Sequence, residues 1–418
     1  MKVLVVGGGG REHAICWKLS QSPHVTQLYC APGNGGIESI AQCVPIAATD
    51  VDGMVKWAKS HAMDFVVVAP DDPLALGMVD AMEAAGIPAF GPTADAAIIE
   101  ASKIFSKNLM KKYNIPTAKY ETFTDMDAAL AYVEEQGAPI VVKADGLALG
   151  KGVIVAQTVE EAKEAVRSMM SDHRFGDAGA KIVIEECMTG PEVTVLAFCD
   201  GEHILCMPSS QDHKRAYDGN QGPNTGGMGA ISPSPNYTAA VAIQCMRDIF
   251  LPTVAALKAE GRPFKGVIYF GLMITPEGPK VVEYNARFGD PECQAVLSLL
   301  DSDLMEIFAA CREGELNKMD IRWKPGAACC LVLASGGYPG SYQKGYPITG
   351  LEEAGGTAVV FHAGTKLDEN GDIVTNGGRV LAVTAVADTL DQAIDGAYAS
   401  AKHIHFQDMH FRTDIGRV

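Results

Sequence analysis

The chain has 418 residues, 47% hydrophobic and 20% charged, with a formal net charge of −17. Its length exceeds one ordinary core and points to two to four domains, with the composition of a soluble globular protein. The acidic balance argues against a nucleic acid partner, which needs a basic surface, but leaves room for a small phosphorylated substrate held by a few local cations and backbone amides.

The opening MKVLVVGGGG is a short strand running into glycines, without the apolar core or cleavage site of a signal peptide. No apolar run is expected to approach the roughly 18 residues of a membrane span. The eleven cysteines have no C-x-x-C spacing and sit mostly in apolar runs such as AACCLVLA, so reduced core thiols and a cytoplasmic location are expected.

Residues 1 to about 100 alternate strand and helix: KVLVV, REHAICWKL, TQLYC, MVKWAKSHA, DFVVVA, then one helix over DPLALGMVDAMEAAG, then IPAF. Continuous apolar strands between helices predict a parallel sheet covered on both faces, with its ligand site at the carboxyl ends of the strands. From 101 to 325 the pattern becomes α+β. TVEEAKEAVRSMM opens with Thr158 and Glu161 at capping-box spacing and is predicted to be a helix. EVTVLAF and HILCM read as antiparallel neighbours, and GVIYFGLMI and PKVVEYN flank the turn TPEG. Residues 208–235 are polar and glycine-rich without periodicity, which predicts a long functional loop. The helix TAAVAIQCMRDIFLPTVAALKAE should be core and kink at Pro252. Residues 327–418 predict a small α/β unit with strands ACCLVLA, GTAVVFHAG and GRVLAVTAV, a helix from Thr389, and a docked tail FRTDIGRV.

Two glycine loops carry the chemistry. In VVGGGGREHA, Gly7 and Gly9 fit a dinucleotide fingerprint, but Glu12 occupies the last glycine position, and QLYCAPGN offers Ala31 where an acid should bind a ribose. The turn can accept phosphate at a helix N-terminus. The plainer alternative is a tight turn that binds nothing; Arg11, which opposes the helix dipole, argues against it. In VKADGLALGKGVIVA the glycines are spaced differently from a Walker A loop, and Gly152 stands where a Ser or Thr should bind magnesium. A β-branched strand follows, so the stretch is a hairpin whose tip, with Lys151, can fold over a triphosphate, while Lys143 at the end of the first strand meets another part of the nucleotide. The alternative is an ordinary hairpin with a surface lysine. Farther on, in KVVEYNARFGDPE, Glu283 and Asn285 share a strand face, a hard-oxygen pair suited to magnesium, with Arg287 next on the same face. Alone, that stretch could be a solvated edge strand. His403 and His405 have no partners at fitting spacing for a metal, and His213 could meet substrate or serve its own loop.

The flap and the Glu/Asn strand together resemble the ATP-grasp superfamily. GGREHA, APGNGG, GPTADAA, SQDHKR, GPNTGGMGA, FGDPE, HAGTK and TNGGRV narrow the resemblance to the glycinamide ribonucleotide synthetase family over residues 1–418. It implies an ATP-grasp fold, α/β and α+β, with an N-terminal parallel-sheet (pre-ATP-grasp, Rossmann-like) domain at 1–100. A small lobe with the linker helix and flap follows at 101–190, a large lobe with the metal strand at 191–325, and a small C-terminal α/β domain at 326–418. The implied reaction joins glycine to 5-phosphoribosylamine through glycyl phosphate, consuming ATP with Mg²⁺ or Mn²⁺, in de novo purine synthesis. The cytoplasmic chain would act as a monomer or weak homodimer, without nucleic acid or membrane partners.

By the same resemblance, Lys103, Lys143, Gly146, Leu147, Ala148, Gly150, Lys151, Gly152, Glu185, Glu186 and Glu192 would surround ATP, and Glu283 and Asn285 would hold the metal. Gly10, Arg11, Asn34, Asp71, Asp212, Lys214, Asn224, Thr225, Gly226, Gly227, Gly229, Gly289 and Glu292 would meet the other substrates. Arg287, Lys151 and Asp290 would act at the reacting groups. The chain departs from the family pattern at APDDPL, where Asp71 replaces a glutamate and Asp72 adds a carboxylate, at Leu149 for alanine, and at Gly8 for Asn or Ser. Rival readings are another ATP-grasp carboxylate–amine ligase, against which SQDHKR and GPNTGGMGA stand, and an ATP-sensing protein without turnover.

Overall fold

A computed structural model describes residues 1–147, 152–171, 180–356 and 358–417. The first sheet is parallel, in the spatial order Gln42–Cys43, Gln27–Pro32, Lys2–Gly7, Phe65–Val68, Ala89–Phe90. Alternation within Lys2–Gly7 sends Leu4 and Val6 into one core and Val3 and Val5 into another, as a strand covered on both faces requires. The single helix expected after the third long strand is instead two, Asp71–Ala75 and Met78–Ala84. Gly77 breaks it, with φ of 80° in the left-handed region that a helix interior excludes.

An antiparallel sheet follows, ordered Tyr120–Phe123, Ile182–Glu186, Ile140–Ala144, Val153–Ala156. Its last two strands are the predicted hairpin, in register Lys143 to Val153. Thr158 Oγ1 accepts from the Glu161 amide as expected, but the Glu161 carboxylate reaches Gln157 N–H, one residue earlier than a capping box would have it. The larger antiparallel sheet runs Ile204–Cys206, Glu192–Asp200, Lys265–Thr275, Gly278–Asn285.

The helix over residues 239–259 backs that sheet. Pro252, which has no N–H to donate one turn back, is accommodated by a π turn at Met246–Phe250, in which Leu251 N–H reaches the Met246 carbonyl. Contrary to the expectation for apolar runs, this helix is long and apolar enough by length and composition to cross a membrane. It carries Arg247 paired with Asp248 at mid-length and buries Ile249, Phe250, Val254 and Leu257 in the protein core.

Residues 208–235 are not irregular throughout. Arg215–Tyr217 pairs with Gln221–Asn224, while Gln211–Asp212 and Gly229–Ser232 join the C-terminal sheet beside Ala327–Ser335, Arg379–Ala387 and Val359–His362. The partner strand lies about a hundred residues downstream, so no local periodicity could announce these pairings. The tail docks as expected. Arg412, fully buried, pairs with Asp414 and donates to Asn220 Oδ1 and the Arg215 carbonyl, and Thr413 N–H reaches Asp218. Every cysteine is unpaired.

Candidate active site

The site lies where the two antiparallel lobes face each other. Lys143 ends its strand buried, and its ammonium pairs with Glu185 Oε2 at 3.0 Å and donates to the Val282 carbonyl of the opposing lobe at 3.2 Å. Lys107 meets Glu185 Oε1 at 3.1 Å from the other side and also donates to Thr117 Oγ1. Burial pushes the Lys107 amine down to about 8 although Glu185 opposes that shift. The hairpin's base is locked to the helix Lys103–Lys112. Asp145 accepts from Ser102 Oγ and Ile104 N–H, Ser102 caps the helix through Phe105 N–H, and Lys103 Nζ donates to the Gly146 carbonyl at 2.8 Å. Leu147 and Gly152 flank the tip, while Ala148, Leu149, Gly150 and Lys151 lie outside the described residues. Glu186 is occupied locally, accepting from Lys119 N–H.

Across from this cluster, Glu283 receives four cations. Burial alone would raise its carboxyl; Lys214, Lys143, Lys103 and Arg287 outweigh burial and hold it below its ordinary value. Lys214 lies 3.1 Å from Glu192 and 3.8 Å from Glu283, joining the expected ribose contact to the expected metal ligand. Hydrogen-bonding partners set the amide of Asn285, whose nitrogen faces the Tyr284 carbonyl and Glu100 Oε1, both at 3.1 Å. Its oxygen therefore turns away from Glu100. An acid and an amide oxygen on one strand face are hard donors of the kind a divalent cation with phosphates takes, so the residues present fit magnesium or manganese. Arg287 pairs with Glu100 at 2.9 Å, and its buried Nε has no partner among the described residues.

On the substrate side the turn after the metal strand is central. Arg11 N–H and Gln294 Nε2 donate to the two oxygens of Asp290. Burial would raise the Asp290 carboxyl, but Arg379 and Arg11 hold it low. Arg379 Nη1 reaches the carbonyls of Gly226 and Asp290 at 2.8 and 2.7 Å, tying the 224–229 segment to that turn. Gly227, at φ of 120°, has no room for a Cβ, which would meet Pro291 Cδ at 2.5 Å. Thr225 closes the segment onto the Lys214 carbonyl, while Asn224 ends the exposed strand paired with Arg215. Glu292 is buried beside Gly289 and accepts from Tyr269, which accepts from Thr194 Oγ1. Burial raises the Glu292 carboxyl. Asp71 opens its short helix; burial would lower the Arg11 guanidinium, but Glu12 and Asp290, with Asp71 a smaller contributor, hold it raised.

Several residues expected at the substrates carry structural contacts within the chain. Asn34 spends its amide nitrogen on the Gly8 and His362 carbonyls and its oxygen on Gly36 and Ile37 N–H. Arg11 pairs with Glu12 at 2.7 Å and donates to the Phe288 carbonyl, and Glu12 in turn caps Gly9 N–H. Thus the glutamate that breaks the dinucleotide fingerprint closes the helix terminus, and Arg11 is there to bridge domains. Gly10 packs so closely on Gln294 that a Cβ would lie 2.5 Å from its amide nitrogen. His213 serves its loop: its ring receives Gly416 N–H and lies near the Gly229 carbonyl. Sequence reasoning missed Glu100, Lys107, Tyr269 and Arg379. The available signals were an acid after the apolar pair in ADAAIIEA and an arginine inside TNGGRV.

Asp212 carries a pH prediction. Burial, with Glu292, Glu192 and Glu283 adding to it against Lys214, raises its carboxyl to about 7. Between the unfolded value of about 4 and 7 the folded chain therefore keeps a proton that the unfolded chain loses. The resulting stability is fully present below that window and lost as pH rises through about 7. Thermal melts across it should show Asp212→Asn losing less stability than the parent over the same rise; parallel curves would refute the assignment.

A hairpin, Ile140–Ala144 with Val153–Ala156, set across from an acid–amide strand between two α+β lobes is the arrangement of an ATP-grasp protein. The biotin carboxylase domain of Hydrogenobacter thermophilus 2-oxoglutarate carboxylase, solved with magnesium ADP and bicarbonate, has the same fold (TM-score 0.75, 15% identity, 98% of this chain and 91% of that one). Family profiles described as phosphoribosylglycinamide synthetase N domain, ATP-grasp (A) domain and C domain match residues 1–100, 101–293 and 328–418, and the chain belongs to that family. The phosphoribosylamine–glycine ligases of Vibrio vulnificus and of an Escherichia coli O6:H1 strain are each 50% identical to it, covering 100% of this chain and 98% of theirs. The crystal structure of that ligase from Thermotoga maritima superposes with a TM-score of 0.88 at 31% identity, over 99% of this chain and 100% of that one.

Proposed function

We propose that the described site activates glycine with ATP and passes the glycyl group to 5-phosphoribosylamine. The chain is a carbon–nitrogen ligase of purine biosynthesis, yielding glycinamide ribonucleotide, ADP and phosphate. A carboxylate is a poor electrophile, so one oxygen of glycine attacks the γ-phosphorus and ADP leaves. The amine of phosphoribosylamine then attacks the acyl carbon of glycyl phosphate, loses a proton, and expels phosphate. Such phosphoryl transfer depends on positioning and charge neutralisation.

Lys103 and Lys143 stand on the nucleotide side, with the hairpin tip and Lys151 as its cover. Glu185 keeps Lys143 extended toward the opposing lobe. Arg287 neutralises charge on the transferred group, and Asp290, Glu292 and Asp212 line the amino-acid side, where an ammonium group needs acids. Glu283 and Asn285 would hold a divalent cation, magnesium in preference, which when bound polarises the phosphates. We place the reaction in the cytoplasm of a cell, on a monomer or weak dimer.

The observation that carries this reading is Glu283, an acid set among four cations next to the carbonyl that Lys143 grips. With Mg·ATP and freshly generated phosphoribosylamine, ADP release should require glycine. Release without glycine, or with another amino acid in its place, would refute the substrate assignment.

A further inference from the structure

Glu100 is the buried acid of the helix Ala94–Ala101, whose other acid, Asp95, lies in its exposed first turn. The Glu100 carboxylate reaches three consecutive residues of the other lobe. Oε2 accepts from Ala286 N–H at 2.8 Å, Oε1 pairs with Arg287 at 2.9 Å, and Oε1 lies 3.1 Å from the Asn285 amide, whose nitrogen is assigned to that side because a carboxylate can only accept. The next residues, Ser102 to Ile104, hold the base of the hairpin through Asp145 and Gly146. One five-residue stretch thus ties the metal strand to the flap.

We propose that Glu100 is a positioning residue that fixes the amide orientation of Asn285, so that a divalent cation meets oxygen and not nitrogen there. The inference rests on the metal assignment above. A carboxylate has only acceptors to offer, so Asn285 must turn its nitrogen toward Glu100. A glutamine at this position could still accept from Ala286 N–H with its oxygen, but its amide nitrogen would face residue 285. Asn285 would then satisfy it by turning its oxygen inward and its nitrogen toward the cation. Aspartate at 285 has oxygen on both branches and is indifferent to that reversal.

The test is a Mn²⁺ titration of the ADP-saturated protein, read by electron paramagnetic resonance on the parent, Glu100→Gln, Asn285→Asp and the double variant. Unfolding midpoints and ADP binding in EDTA are measured alongside. Glu100→Gln should weaken Mn²⁺ about tenfold, the usual scale for a residue that holds a metal ligand in place, with ADP binding in EDTA unchanged. Asn285→Asp should strengthen Mn²⁺ binding more in the Glu100→Gln background than in the parent. Mn²⁺ binding within about twofold of the parent, or an additive cycle, overturns the inference. If Glu100→Gln does not fold, Glu100→Asp, which withdraws the carboxylate by a methylene, takes its place in both measurements, with a loss of about threefold expected and unchanged binding overturning the idea. A parent that binds no Mn²⁺ with ADP overturns the metal assignment itself, and this inference with it.

Discussion

Glu283→Ala should reduce turnover by about three orders of magnitude or more while leaving the fold intact. The carboxylate is the hard oxygen donor on which four cations converge, so its removal takes away both the expected metal ligand and the centre of that field. Little in the fold depends on it. Its side chain is about one-third exposed, and Lys214 keeps Glu192 at 3.1 Å as a partner. The stability change should therefore stay within about 1 kcal/mol. Single-turnover assays at saturating metal, with urea unfolding on the same sample, separate the two effects. Turnover surviving within tenfold would put the metal elsewhere.

Glu185→Leu should have the opposite signature, a large loss of stability. Glu185 is the common acid of two buried ammonium groups, Lys107 at 3.1 Å and Lys143 at 3.0 Å. Removing it leaves both cations in a low-dielectric seam with neutral hydrogen-bond acceptors, Thr117 and the Val282 carbonyl, and with Glu283 and Glu186 as more distant acids. Breaking a buried ion pair from one side costs about 3–5 kcal/mol, because the remaining charge is uncompensated. Lys107 already titrates near 8 with Glu185 present, so part of the loss will be escaped by deprotonation. The variant should accordingly recover stability as pH rises above neutrality. Unfolding free energies at neutral and alkaline pH test this; a loss under about 1 kcal/mol would mean that water enters the seam and screens the pair.

These two residues also mark how far the sequence could be read. Glu283 and Asn285 were legible because a strand's period of two places them on one face, and the hairpin around Lys151 because a β-branched run follows the glycines. The parallel sheet was legible for the same reason: continuous apolar strands need two covered faces. The break at Gly77 was not, since a helical pattern continues on both sides of one glycine whose left-handed φ depends on packing. Nor were the strands within 208–235, whose partners come from the C-terminal sheet. Glu100 and Arg379 stayed hidden because their partners lie 186 and 153 residues away, beyond any local pattern. Glu185 was placed at the nucleotide, but its pairing with two lysines became apparent only when the helix Lys103–Lys112 and the strand Ile140–Ala144 were brought together.

In the proposed reaction the glycine carboxylate attacks ATP before the amine attacks the acyl carbon. Glycine labelled with oxygen-18 in both carboxyl positions tests it directly. Attack on the γ-phosphorus makes one labelled oxygen the bridge of glycyl phosphate, and that oxygen leaves with the phosphate when the amine takes its place. Mass spectrometry should find the released phosphate carrying one heavy oxygen and the amide product retaining the other. Unlabelled phosphate, with both heavy oxygens elsewhere, would exclude glycyl phosphate as the intermediate.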